Sequence, residues 1–344
     1  MEQTTQKKRK RNVLAIDLTF LFLLLGGVVL AVCVGKYPVS PGESISILWS
    51  RLFGLTNGLP DMTQNVVMGL RVPRILASVV VGAALSMSGA AYQGIFKNPL
   101  VSPEFLGVSS GACIGAALAI LLSMTTVFIS LFAFVGGIIA VLLTVSIPSL
   151  IRNRSNLVLV LSGIIVGSAL SSVFGFIKFM ADPDTQLASI TYWSMGSFSY
   201  IKLSELLTVL LVIIVPAVIL VLLSWWIDVL SLGENEARSL GADVKLIRGI
   251  VITCSTILTA GSVCIAGTIG WVGLIIPHFG RMLVGPANRR LIPLCGLIGG
   301  LFMLLVDTLT RTIGVAEMPV SILTGIIGAP FYCWLLFRQR RTLS

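Results

Sequence analysis

Residues 231–248, SLGENEARSLGADVKLIR, interrupt an otherwise apolar chain, and the surface they pack on decides how the rest is folded. VPAVILVLLSWWI (215–227) runs up to them and GIVITCSTILTAG (249–261) leads away, both apolar. Ser231 and Glu234 have the spacing of a capping box, and Gly241 is placed to end a helix. About two and a half turns fit between these signals, too few to stand alone in water. A charged, capped helix of that length needs a partner surface.

The composition says what surrounds it. The chain has 344 residues, 56% hydrophobic and 11% charged, with a mean hydropathy of +1.00. A soluble domain carries about 25% charged residues, and a bilayer core asks for about 20 apolar residues per helical span. Several runs of that length are present. The expected fold class is an all-α polytopic membrane protein, one transmembrane domain over 1–344. MEQTTQKKRKRN (1–12) has the charge of a signal-peptide n-region. No small-residue cleavage site closes the apolar run behind it, so that run reads as a retained first span with a basic tail.

Ten spans fit, at roughly 14–34, 72–93, 105–122, 127–149, 157–180, 203–227, 248–266, 268–284, 291–310 and 320–337. Residues 105–150 carry only apolar and uncharged groups, so spans three and four form a tight hairpin turning near Ser123–Thr126. Asn98-Pro99 breaks a helix and marks the re-entry between spans two and three. With the N-terminus cytoplasmic, ten spans return the C-terminus to that side. The inside segments, Arg154 and the terminal Arg338, Arg340 and Arg341 included, then hold 17 of the 24 Lys and Arg residues. Seven stay outside: Lys36, Arg51, Arg71, Arg74, Lys178, Lys202 and Arg311. That split follows the positive-inside rule, accounts for a net charge of +10 without nucleic acid, and puts 228–248 in the cytoplasm. Segment 181–202, with Tyr192, Trp193 and Tyr200, is expected to lie at the opposite interface. Glycines at four-residue spacing (Gly107, Gly111 and Gly115; Gly163 and Gly167; Gly296 and Gly300) suit close helix packing within one subunit.

The chemistry of an enzyme is missing. His278 is the sole histidine and has no acidic or second histidine partner at ligand spacing. The six cysteines sit in apolar runs without a CxxC pair, so they read as packing residues, and neither a metal site nor a cofactor is expected. The phosphate-cradling GxxxxGK[ST] is absent, so the chain does not hydrolyse ATP by that route. Transport is the class left. Ion-coupled carriers keep charged groups within their spans; here Asp17 and Asp228 sit at span ends, and Asp307 lies four residues from Arg311, the spacing of an intrahelical pair. An ion-coupled carrier is thus poorly supplied, and a channel, which fits few charges, needs no docked cytoplasmic helix. An energised partner does.

Six stretches then resemble one family: LRVPR (70–74), GAALSMSGAAYQGIFKNPLVSPEFLGVSSGA (82–112), LSLGENEARSLGA (230–242), GTIGWVGLIIPHFGRMLVGPANRRLIP (267–293), VDTLTR (306–311) and EMPVSILTGIIGAPFYCWLL (317–336). In this order and spacing they resemble the FecCD family, permease subunits of type II ABC importers for iron-siderophores, haem and cobalamin. Val72 stands where that family more often has Leu. The resemblance implies the ten-span permease fold, a second permease subunit (another copy or a paralogue), two cytoplasmic ATPase subunits, an extracytoplasmic binding protein and an iron-siderophore cargo. Cobalamin or haem is the nearest rival. It also implies that 231–248 is the element resting on the ATPase, with Glu234, Glu236 and Arg238 as polar rim, Leu232, Ala237 and Leu240 as buried face, and Gly241 ending it. Arg71, Arg74 and Arg311 would receive acidic residues of the binding protein. Gly270, Gly273, Pro277 and His278 are the pathway candidates, with tight packing as the plainer reading of the small residues.

Overall fold

The computed structural model describes residues 2–55, 58–153, 155–199, 201–313 and 317–343. Arg154 and Tyr200 lie outside the described residues, as do the side chains of the basic tail and of Arg338, Arg340 and Arg341. The described chain is helical, with no strand: α1 (Glu2–Cys33), α2 (Pro41–Phe53), α3 (Asp61–Asn65), a π-helical turn (Val66–Arg71), α4 (Val72–Phe96), a 3-10 turn (Pro103–Leu106), α5 (Val108–Leu121), α6 (Thr126–Leu150) and α7 (Asn156–Met180). Then follow α8 (Gln186–Met195), α9 (Leu203–Leu232), α10 (Glu234–Ser239), α11 (Val244–Ala266), α12 (Val272–Val284), α13 (Asn288–Thr310) and α14 (Val320–Leu343). Helices are the expected answer in lipid, because each pairs its own backbone donors and acceptors.

Among the described residues, seven helical stretches are long and apolar enough to cross a membrane, and Val108–Leu121, Val272–Val284 and Val320–Trp334 are shorter apolar helices. They fall on the expected segments. Burial sorts them into two tiers. The spanning window is 78% buried in α4, 72% in α11 and 61% in α13, against 17% in α1 and 22% in α6, α7 and α9. The first three form the core and the others its wall. Hydroxyl contacts join α4 to α11: Ser88 Oγ lies 3.0 Å from Thr259 Oγ1, and Tyr92 Oη 3.1 Å from Thr256 Oγ1. Small residues set the close approaches. A Cβ at Gly111 would stand 2.3 Å from the Gly136 carbonyl oxygen, and one at Gly115 2.0 Å from that of Phe132. The glycine spacing of α5 therefore serves packing on α6, as expected.

Two local expectations are corrected. The capping box at Ser231 does not form. α9 runs on to Leu232, burying Val229 and Leu230, and the Ser231 hydroxyl donates to the Asp228 carbonyl at 2.6 Å. The break falls two residues later, at Gly233 with φ +153, where a residue without Cβ is at home. α10 is accordingly one residue run of Glu234–Ser239, shorter than expected, and Gly241 (φ +85) does close it, its N–H donating to the Arg238 carbonyl at 2.9 Å. A capping box does form at Ser40–Glu43, which starts α2.

Candidate functional site

Three places carry the polar chemistry: the end of the bundle bearing α10, the opposite end bearing Arg74, and an open face of α7 between them.

At the α10 end, Asp228 near the close of α9 fastens the start of α13. Its carboxylate accepts from the Asn288 backbone N–H at 2.7 Å, the Asn288 side-chain amide at 2.8 Å and the Arg289 N–H at 3.3 Å, an anion placed where the helix leaves donors unpaired. α10 hangs beside that joint. Glu234 pairs with Arg248 at 2.8 Å and more loosely with Arg238 at 3.7 Å. Glu236 and Gly241 are exposed. The expected apolar face divides in two. Ala237 is fully buried in this chain's own core, because the short helix is held down by its central alanine. Leu232, Leu240 and Leu246 stand 66%, 55% and 60% exposed, leaving the apolar surface unmatched. Ala237 is thus an anchor of the element and the leucines are its free face.

At the other end, the three arginines expected to receive acidic residues of a binding protein are buried and bonded within this chain. Arg71 and Arg311 close the C-terminus of α1. Arg71 donates to the carbonyls of Val32 at 2.6 Å and of Tyr37, and Arg311 to that of Ala31 at 2.8 Å. Cations belong there, where a helix presents unpaired carbonyls. Arg74 is the hub. Its Nε donates to Asp307 Oδ1 at 2.8 Å and its Nη1 to Glu317 Oε2 at 2.7 Å and Ser199 Oγ at 3.3 Å, tying α4, α13 and two loops together. Asp307 is fully buried, and its expected partner Arg311 is the weaker one, at 3.7 Å. In the loop, burial pushes the Glu317 carboxyl up, but hydrogen bonds from Ser199 and Arg74 outweigh it and hold the group below the usual glutamate range. α8 sits at this end too: the Val320 N–H, opening α14, donates to the Gly196 carbonyl at 3.0 Å.

The pathway candidates separate. Gly273 and Pro277 are buried. A Cβ at Gly89 would come 2.0 Å from the Gly273 carbonyl oxygen, so α4 and α12 touch backbone to backbone there. These two are packing positions. The Gln93 amide donates to that same carbonyl at 3.2 Å and accepts from Arg281. Half-buried His278 belongs to no group that could hold a metal; none exists among the described residues. Gly270 differs. It is half-buried, and a Cβ there would meet the Glu104 carboxylate oxygens at 3.5 and 3.8 Å. Next to it, Trp271 holds φ +73, a strained setting for a bulky residue. Its ring fills the space over Gly328 on α14, where a Cβ would stand 2.7 Å away. The sequence reading passed over Asp228 as a site residue, and over Glu317 and Glu104 altogether. An acid at the edge of an apolar span was the available signal for each.

The FecCD transport family model matches residues 23–338. The molybdate import system permease protein MolB of Haemophilus influenzae is 39% identical over 93% of this chain and 94% of its own length. A probable iron chelatin transport system permease protein of Helicobacter pylori is also 39% identical, over 80% of this chain and 83% of its own. Among solved structures, an ABC transporter of the metal-chelate type in an inward-facing conformation superposes with a TM-score of 0.83 at 36% identity, covering 94% of this chain and 99% of that one. With nearly the whole length matched, and helices and motifs in register, the chain belongs to the FecCD transport family, the membrane-embedded permease subunits of ABC importers.

Proposed function

We propose that this permease carries an iron-siderophore chelate, received from an extracytoplasmic binding protein and released to the cytoplasm. ATP hydrolysis belongs to partner ATPase subunits, and the chain itself is not an enzyme. The iron chelatin relative and the metal-chelate type structure support the cargo class. Molybdate is the second reading, favoured by the Haemophilus relative; haem and cobalamin stay within the family's range. In this reading the ten apolar helices are ten spans, both termini and the 228–248 segment are cytoplasmic, and 181–202 lies outside.

The observation that carries the mechanism is the free apolar surface of Leu232 and Leu240 around an element anchored by Ala237. An ATPase subunit would cover those leucines, with Glu234, Glu236 and Arg238 at the rim. A rigid short helix on the ends of α9 and α11 then passes motion of the ATPase to two spans at once. At the outer end, Arg71, Arg74 and Arg311 give the docking surface its shape by fixing α1, α4 and α13 to one another. The binding protein would meet that shape and the half-exposed Glu317, rather than free guanidinium groups. A second copy or a paralogue completes the pore. The test of cargo is uptake into vesicles holding the complex and its binding protein, with radioactive ferric siderophore and molybdate compared. Saturable, ATP-dependent accumulation of the ferric chelate supports this reading, and accumulation of molybdate alone replaces it.

A further inference from the structure

The face of α7 that looks away from the core sets three hydroxyls among large apolar side chains, Leu161, Ile164 and Phe179 being exposed there as well. Ser168, Ser171 and Ser172 are exposed on it. Ser171 Oγ lies 3.3 Å from Ser110 Oγ of α5. Beneath them the 3-10 turn carries Glu104, also exposed, and its carboxylate points toward the strained Gly270–Trp271 corner. Glu104, Phe105, Ser110, Gly167, Ser168 and Ser171 together line an open cleft of about 440 Å³.

The depth of this cleft is fixed by packing. A Cβ at Gly163 would stand 1.9 Å from the Phe105 carbonyl oxygen, so the 3-10 turn abuts α7 seven residues from its start. At 1.5 Å per residue that is roughly 10 Å along a helix of roughly 37 Å. Thr144 agrees, donating to the Leu106 carbonyl at 3.0 Å from six residues inside the end of α6. Glu104 is therefore an exposed carboxylate well inside the apolar slab, and no ion pair to it exists among the described residues. Lipid does not tolerate such a group; within a membrane, charged side chains face the bundle interior or a water-filled cavity. Non-helical backbone at this depth carries the same condition.

Resting on the permease reading above, we infer that Glu104 lines the solute pathway and biases it against anions, so that the cargo is a neutral or cationic chelate rather than an oxyanion. The serine hydroxyls above it supply hydrogen bonds to a polar solute of either kind. The carboxylate supplies the discrimination, because it attracts ammonium groups or the positive face of a chelate and repels an oxyanion in a medium that screens poorly.

Charged thiol reagents read this field directly. Ser168→Cys serves as reporter in a chain with Cys33→Ser and Cys333→Ser, the two cysteines that are not buried. The complete complex in vesicles is treated with a trimethylammonium-ethyl and a sulfonatoethyl methanethiosulfonate, and the parent without the reporter gives the background. The cation-to-anion rate ratio should fall about fivefold with Glu104→Gln, fall further with Glu104→Lys, and be kept by Glu104→Asp. A ratio that ignores Glu104→Gln overturns the inference, and so does a reporter that neither reagent reaches. ATP-driven uptake by unaltered complex, measured alongside, separates these outcomes from failure of the permease reading itself.

Discussion

Asp307 is the residue on which the Arg74 end of the bundle depends. It is fully buried with Arg74 at 2.8 Å on one side and Arg311 at 3.7 Å on the other. Removing one member of a buried pair strands the other charge, and costs about 3–5 kcal/mol. Arg74→Ala should therefore lower the thermal stability of the detergent-solubilised protein by far more than Arg51→Ala, whose side chain is exposed. Equal melting temperatures for the two variants would remove the hub. Glu317 adds a pH dependence. Because its carboxyl is held low in the folded chain, its contribution is complete above the ordinary glutamate value and is lost as pH falls through the lowered one. Melting temperature should drop on acidification through that window, and Glu317→Gln should flatten that part of the curve. This network was not legible in the sequence. Arg74 lies 233 positions from Asp307 and 243 from Glu317, and spacing arguments see only neighbours on one helix. They found the Asp307–Arg311 pair, which is the longer contact.

Helix α10 shows how an element can be foreseen while its register is not. Apolar run length located the spans, and the charge break at 228–248 located the connection. The start of α10 was set instead by how far α9 could bury Val229 and Leu230 before a glycine let it turn. The corrected register changes what mutations should do. Leu240→Asp places a charge on the exposed face, so the protein should fold and reach the membrane normally while ATPase binding and uptake fail. Ala237→Asp places a charge in this chain's own core, so yield and melting temperature should fall before any partner is added. Identical behaviour of the two variants would contradict the division of anchor from docking face. The backbone contact between α4 and α12 is a further test. Gly89→Val must displace the Gly273 carbonyl, an overpacking that costs about 1–3 kcal/mol or more. Its yield and melting temperature should fall well below those of Gly26→Val, where a Cβ meets open space.

At the scale of the molecule, a buried trio of helices carries a more exposed wall. Each end is fastened by charge: Asp228 to the start of α13 at one, the arginine network at the other. This suits a machine that must transmit movement between its ends without coming apart. The hydropathy pattern made the membrane class and the placement of the apolar segments readable. Which faces remain open was beyond it, since α7 and α4 are both apolar in sequence and only packing tells wall from core. In the proposed function, transport by this chain is driven through α10 by ATP hydrolysed on partner subunits. Uptake of a radioactive ferric siderophore into vesicles that hold the permease with its ATPase subunits, with the binding protein outside, tests this coupling. Accumulation should require ATP within the compartment that holds the ATPases, should persist when ion gradients are collapsed, and should vanish with Leu240→Asp. Accumulation that follows an ion gradient without ATP, or that survives Leu240→Asp unchanged, would rule out drive through α10.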